Sequence, residues 1–329
     1  MREDLLDVLA EPRTGSPLEL AVTRSENGEI TEGKLTSKQT GKTFPITNGI
    51  PRFVPPETYA DSFGMQWNRF RKVQLDSVNG TKMSHDRFTS ETGWTLPELK
   101  DKWVLDMGCG AGRFAEVAAS SDAKFVGLDL SSAVEATRDT LRARFPRAEV
   151  VQGDILAPPF RHGSFDYVYC LGVLQHTPDN AGGVRSVVRL TKPGGRFAMT
   201  IYGRKPWTKL NTKYLIRPLT KRLPAPMLLK GIEAIMPVAF PLTNKLFRLP
   251  ILGRLAQFTI PIYNYSDIGA LNDDEKLRYD FAVLDTFDGL APAHDHPMTP
   301  GEVEAAIRDV GAASFDFRTR IPVVVSGTK

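Results

Sequence analysis

Between Lys102 and Gly195 the chain alternates two kinds of segment. That alternation limits its fold more than anything else in its 329 residues. "KWVLDM", "KFVGLDL", "AEVVQGD" and "FDYVYCLG" are short, mostly apolar runs, and "GRFAMTIY" is a fifth. "GRFAEVAASS", "SSAVEATRDTLRARF" and residues 180–191 lie between them and read as helices. Repeated strand–helix units of this length form a parallel, doubly wound sheet. Ligands of such sheets bind beyond the carboxyl ends of the strands, where the strand order reverses.

The first strand runs into "VLDMGCGAGRF", with Gly108, Gly110 and Gly112 at every second position. Glycines there let the backbone approach a nucleotide closely. Asp129 ends the second strand, 21 residues after Gly108. A carboxylate at that place can accept hydrogen bonds from both ribose hydroxyls. Without a ligand, the same residues would be a glycine turn beside a helix-capping aspartate. The spacing separates two nucleotide classes. The dinucleotide fingerprint is G-x-G-x-x-G, whereas this loop is G-x-G-x-G preceded by Asp106.

That loop resembles the first motif of class I S-adenosylmethionine-dependent methyltransferases of the methyltransferase-11 type. The resemblance continues in order through about 95 residues. "GDIL" places Asp154 where the family has an acid facing the adenine amino group, with Ile155 beside the ring. "FDYVYCLGVLQHTPD" and "LTKPGGRF" are similar to the fourth strand with its loop and to the turn into the fifth. "TPGEVEAAIRDVG", "ASFDFRTR" and "IPVVVSG" fit the last helix and a closing antiparallel hairpin. The resemblance implies S-adenosylmethionine as cofactor, held by Asp106, Gly108, Cys109, Gly110, Gly112, Asp129, Leu130, Asp154, Ile155 and Leu171.

The first 55 residues resemble a small zinc-ribbon domain that occurs as a free activator of methyltransferases and fused ahead of some RNA methyltransferases. "LLDVLAEPRTGSPLEL" and "GKLTSKQTGKTFPITNGIPRFV" carry its outline. Its four ligand positions fall on Glu11, Thr14, Ser37 and Thr40. None is a thiolate, so no structural zinc is expected. A β-rich piece this small needs its neighbour for stability, and a docking or substrate-shaping module is the expectation.

"YADSFGMQWNRFRKVQLDS" follows. Its Phe63, Trp67 and Phe70 are either ordinary core or part of a lid over the cofactor, with Gln66 and Arg71 reaching the methionine carboxylate. "SFGxQWxxF" is similar to a stretch of bacterial methyltransferases from secondary-metabolite and surface-sugar pathways.

Methyl transfer needs an in-line approach, and a base where the nucleophile is a hydroxyl or ammonium. His176, just after the fourth strand, is the candidate base. Its alternative role is to order "QHTPDN" through local hydrogen bonds. "DTFDGLAPAHDHPMTP" gathers Asp285, Asp288, His294, Asp295 and His296 in what reads as a substrate-facing loop. No metal-ligand spacing occurs there, and no metal is expected.

The net charge of +4 hides an asymmetry. Gly203 to Ile260 holds eleven Lys or Arg and one acid, Glu233, so the rest of the chain is acidic. Apolar runs with single cations suggest amphipathic helices, and the prolines are expected to keep them short. They would roof an acceptor pocket or lie on an anionic membrane surface.

The expected fold is α/β: a doubly wound Rossmann-like sheet with a small N-terminal β-rich module and a helical lid insertion. Residues 1–55 form the module, 56–100 a linker and cofactor lid, 101–202 the cofactor-binding core, 203–265 the basic insertion and 266–329 the rest of the core. The expected function is methylation of a small-molecule acceptor, a secondary metabolite, sugar or lipid-linked intermediate, with O-methylation favoured. An RNA methyltransferase and an inactive methyltransferase-fold binding module are the alternatives. The absent ribbon cysteines and the apolar character of the basic segment argue against nucleic acid. The acidic N-terminus lacks the apolar core of a signal peptide, two cysteines cannot build a disulfide framework, and a cytoplasmic location is expected.

Overall fold

The computed structural model describes residues 1–55, 58–142, 144–266, 268, 271 and 274–329. The start of the expected linker, residues 56–57, and several positions opening the expected C-terminal part lie outside them.

The first strands are β1 (Leu18–Glu26), β2 (Glu29–Ser37), β3 (Thr43–Thr47) and β4 (Ile50–Pro51), paired antiparallel in that order. Two of the three turns are Asn-Gly pairs, Asn27-Gly28 and Asn48-Gly49, with φ of 51° and 77°, then 53° and 71°. Left-handed backbone at both central residues matches the twist of a two-residue hairpin.

This small sheet shares a core with the large one. Leu5, Leu9, Leu35 and Phe44 pack in the same apolar cluster as Leu105, Val126, Val151 and Phe160. Backbone bonds from Phe53 N to Gln152 O (2.8 Å) and from Ala10 N to Pro159 O (3.0 Å) fasten the edge. Arg52 reaches Gln152 Oε1 at 2.7 Å and pairs with Glu135.

The four expected ribbon-ligand positions do converge. The Glu11 carboxylate accepts hydrogen bonds from Ser37 Oγ at 2.6 Å, Thr14 Oγ1 at 2.7 Å and Thr40 Oγ1 at 2.9 Å. These hydroxyls, Ser37 first, hold the Glu11 carboxyl below its usual range. The stability this gives is full above the ordinary glutamate value and is lost as pH falls through the lowered one. Purified protein is therefore expected to hold no tightly bound zinc by elemental analysis. Glu11→Gln should lower the melting temperature at neutral pH and flatten its acid dependence. One chelator-resistant equivalent of zinc, or an unchanged acid limb, contradicts this account.

The large sheet contains β5 (Trp103–Met107), β6 (Lys124–Asp129), β7 (Glu149–Gln152), β8 (Phe165–Leu171), β9 (Thr191–Ile201), β10 (Ser314–Arg320) and β11 (Val323–Thr328). Its order is β10-β11-β9-β8-β5-β6-β7. β5 to β9 pair in parallel, and β11 runs antiparallel to both of its neighbours. Helices Arg113–Ala119, Ala133–Leu141 and Asn180–Leu190 connect the parallel strands, as their apolar periodicity requires. Helix Pro300–Arg308 begins with a capping box, Thr299 with Glu302, and a proline at its first position. The strand order reverses between β5 and β8, so the switch point lies at their carboxyl ends.

Two expectations need correction. The insertion is not cut into short helices throughout. Helix Thr212–Thr220 and helix Pro250–Thr259 are short, but Ala225–Leu246 runs through Pro237 and Pro241. Both prolines are exposed and lie one helical turn apart. The carbonyls they leave without a donor, those of Glu233 and Pro237, are on the side where water substitutes. Asp285 and Asp288 are not in a loop. They belong to helix Glu275–Leu290, which packs against the long insertion helix through Ala282, Val283 and Phe287.

Candidate active site

The glycine loop leaves β5 with a conformation that side chains resist. Gly108, Gly110 and Gly112 have φ of 94°, 54° and 90°. A Cβ on Gly108 would lie 2.5 Å from Val173 Cγ1, and one on Gly110 would press on the Trp67 ring at 3.2 Å. The loop is thus pinched between the β8 loop and the helix Asp61–Arg69.

Asp129 fixes it from the side. Oδ2 accepts from Gly110 N at 3.0 Å, and Oδ1 accepts from Ser131 N at 2.9 Å and Ser131 Oγ at 2.7 Å. Burial raises the Asp129 carboxyl, and the Ser131 and Gly110 bonds work against that rise.

A cavity of about 230 Å³ opens above the loop. Its wall includes Gly108, Cys109, Gly110, Asp129, Leu130 and Ile155. Leu171 and His176 close it from β8, and Phe63 and Trp67 cover it from the segment before β5. Eight of the eleven residues expected at the site therefore share one wall.

The other three stand apart from it. Asp106 is buried at 2% exposure beneath the loop, and burial pushes its carboxyl well above the usual range. Tyr169 faces it, yet neither Asp106 Oδ2 nor the Tyr169 hydroxyl completes a hydrogen bond with good geometry. Gly112 turns the chain into helix Arg113–Ala119. Asp154 spends Oδ1 on Leu156 N at 2.8 Å, and the wall takes Ile155 instead.

Gln66 and Arg71, which the lid reading sends to the methionine carboxylate, do not line this cavity. Gln66 Nε2 donates to Asp288 Oδ1 at 3.1 Å, and Arg71 pairs with Asp139 on the surface at 2.8 Å. Two other guanidinium groups face the cavity, Arg87 and Arg113. Arg113 Nε donates to Ser84 Oγ at 3.0 Å, and Arg87 Nε to Glu91 Oε1 at 2.8 Å. Burial, then the neighbouring Arg87, lowers Arg113 to about 10. Two cations held this close to each other suit an anion between or beside them. Position 113, directly after the third glycine, was a usable signal. Arg87 carried none.

His176 is buried, with its ring 5.1 Å from Phe63 and 5.6 Å from Tyr202 between centroids. Nδ1 lies 3.1 Å from the His294 carbonyl. A carbonyl only accepts, so this contact assigns the proton to Nδ1 and leaves the Nε2 lone pair free.

A second cavity, about 730 Å³, adjoins the first. Arg87, Tyr202, Tyr263, Tyr265 and Asp285 line both. Its outer side is formed by Trp207, Lys213, Phe247 and Phe258 of the insertion. Burial, then Asp288, pushes Asp285 up to about 7 against the pull of Arg113 and Arg87, and the Tyr265 hydroxyl donates to it. His294, Asp295 and His296 line neither of these cavities, and Asp295 pairs with Lys213 at 2.6 Å. Among the described residues no group of three His, Cys, Asp or Glu is placed to share a metal ion.

Comparison with known proteins adds an independent line. Residues 105–199 match a family described as a methyltransferase domain. A ubiquinone biosynthesis O-methyltransferase from Alkalilimnicola ehrlichii is 34% identical over 38% of this chain and 53% of its own length. One from Bordetella pertussis is 34% identical over 39% of this chain and 57% of its own. The chain thus spans about half the length of these relatives. A solved structure of a putative S-adenosyl-L-methionine-dependent methyltransferase from Methanococcus maripaludis covers 84% of this chain and 96% of its own. It has 14% identity and a TM-score of 0.44. By the family match, residues 105–199 carry a methyltransferase domain, whose cofactor is S-adenosylmethionine.

Proposed function

We propose that the protein transfers a methyl group from S-adenosylmethionine to a hydroxyl of a small, largely apolar acceptor. The observation that carries this reading is the junction of the two cavities. The cofactor wall opens, through Tyr202, Tyr263, Tyr265 and Asp285, into a larger room lined by aromatic side chains. That room has the size and mixed lining of a small-molecule site. The named activity of the O-methyltransferase relatives agrees with the choice of oxygen.

In this reading Asp129 holds the ribose, Ile155 lies beside the adenine, and Arg113 with Arg87 receives the methionine carboxylate. S-adenosylmethionine supplies a methyl group activated on a sulfonium. His176 Nε2 takes the proton of the acceptor hydroxyl as the new bond forms, while the His294 carbonyl keeps Nδ1 protonated and the ring oriented. The insertion excludes water from the reacting atoms.

The same reading treats the N-terminal module as a zinc-ribbon relative in which the Glu11 carboxylate stands where the metal would be. The three hydroxyl bonds to it support that view.

The test has two stages. Calorimetry is expected to give micromolar S-adenosylmethionine affinity, and mass spectrometry to find a methylated product among phenols and alcohols bearing apolar tails. Tight NADH binding without an S-adenosylmethionine signal would overturn the reading, as would cofactor binding with methylation confined to RNA.

A further inference from the structure

The insertion carries an apolar face that nothing in the chain covers. Among the described residues seventeen large apolar side chains are exposed, and thirteen of them lie between Trp207 and Leu255. On helix Ala225–Leu246, Ile235, Val238 and Leu242 are 61%, 73% and 62% exposed and form one stripe. On helix Pro250–Thr259, Ile251, Leu252 and Leu255 are 85%, 60% and 59% exposed. That helix packs against both Thr212–Thr220 and Ala225–Leu246, so the three helices form one unit. The inner sides are already used. Leu228, Ile232, Met236 and Phe240 pack on helix Glu275–Leu290. Exposed apolar surface concentrated in this way marks an interaction site.

The charges identify the partner. Eight exposed cations of the insertion have no carboxylate within ion-pair distance among the described residues. They include Lys209, Lys221, Arg222, Lys230, Lys245 and Arg254. The one acid of the segment, Glu233, is paired with Arg69. We propose that this face docks on the surface of a bilayer rich in anionic lipid. Apolar side chains enter the headgroup boundary and the bordering lysines and arginines meet the phosphates. A second copy of the chain fits less well, because a symmetric contact would set the cations of one copy against those of the other. Helix Ala225–Leu246 is long and apolar enough to cross a membrane by length and composition. Its packed inner face makes it lie on the surface instead.

One consequence rests on the reading of the second cavity as the acceptor site. Trp207 and Phe258 line that cavity from the same insertion that presents the exposed face. An apolar acceptor dissolved in the bilayer would then enter at its rim.

Flotation of the full chain decides the proposal, with vesicles of phosphatidylcholine alone and of phosphatidylcholine mixed equally with phosphatidylglycerol. The protein is expected to float with the mixed vesicles and not with phosphatidylcholine. High salt should reduce binding at least about tenfold. The triple change Ile251→Asp, Leu252→Asp and Leu255→Asp should abolish flotation while S-adenosylmethionine affinity, measured separately, stays at the wild-type value. Docking is overturned if the wild type stays at the bottom with both vesicles. It is also overturned if the triple change merely converts a dimer, seen by light scattering, into a monomer. Either result leaves the methyltransferase reading intact, since cofactor binding and vesicle binding are read independently.

Discussion

His176→Ala is expected to lower turnover by about 10²–10⁴-fold, the usual contribution of a positioned base. Cofactor affinity is expected to change far less than turnover. Alanine alone is an ambiguous probe. It also removes a buried ring from between Phe63 and Tyr202 and strips the His294 carbonyl of its donor. His176→Asn resolves this. Its amide N–H can still reach that carbonyl, but it offers no basic nitrogen. If the ring acts as a base, both variants lose turnover similarly, while asparagine, which keeps the bond to the His294 carbonyl, loses less thermal stability than alanine. If the ring only orders the loop, asparagine restores turnover, and the proton must go elsewhere. Asp285 is then the next group to test, since it faces both cavities and sits at about 7. A base at that value would give a rate that rises with pH through neutrality, and Asp285→Asn would remove the rise.

The parts of this molecule that could be read ahead of its structure are those with local causes. β5, β6 and β8 are buried strands between helices, so their sequences are nearly continuous apolar runs. The loop glycines declared themselves because left-handed backbone selects that residue. Glu11, Thr14, Ser37 and Thr40 were singled out as a set by a resemblance in spacing, and the structure shows a carboxylate bonded by three hydroxyls. What escaped has distant causes. Arg87 and Arg113 come from separate elements and become a pair only when the helix Met83–Thr92 packs on the glycine-loop helix. Tyr263 and Tyr265 reach the two cavities from the far end of the insertion. Asp106 shows the limit of a motif position. β5 is buried on both faces, so its place in the strand leaves the side chain beneath the loop rather than on the cavity wall. Pro237 and Pro241 misled for a similar reason, since helix propensity says nothing about which face a residue will take.

Asp129→Ala carries the second large expectation, a loss of S-adenosylmethionine affinity of about 1.5–3 kcal/mol, or roughly 10- to 150-fold in Kd. The cost has two sources, and the structure separates them. An ionised carboxylate has about four acceptor positions, and Gly110 N, Ser131 N and Ser131 Oγ occupy three. A ribose with two hydroxyls to place must therefore displace the Ser131 hydroxyl or share one oxygen with it. Alanine removes the ribose bonds and also releases Gly110, whose left-handed turn is held partly by Oδ2. Ser131→Ala takes away the competing hydroxyl while keeping the aspartate. It should leave affinity unchanged or raise it slightly, because Oδ1 is freed without disturbing Gly110. Calorimetry on both variants, with melting curves as a control for the fold, distinguishes the outcomes. An affinity for S-adenosylmethionine that survives Asp129→Ala within twofold would remove the ribose from Asp129. A large loss in Ser131→Ala as well would assign the effect to loop order, because what the two variants share is the loss of the bond between the Ser131 hydroxyl and Asp129 Oδ1.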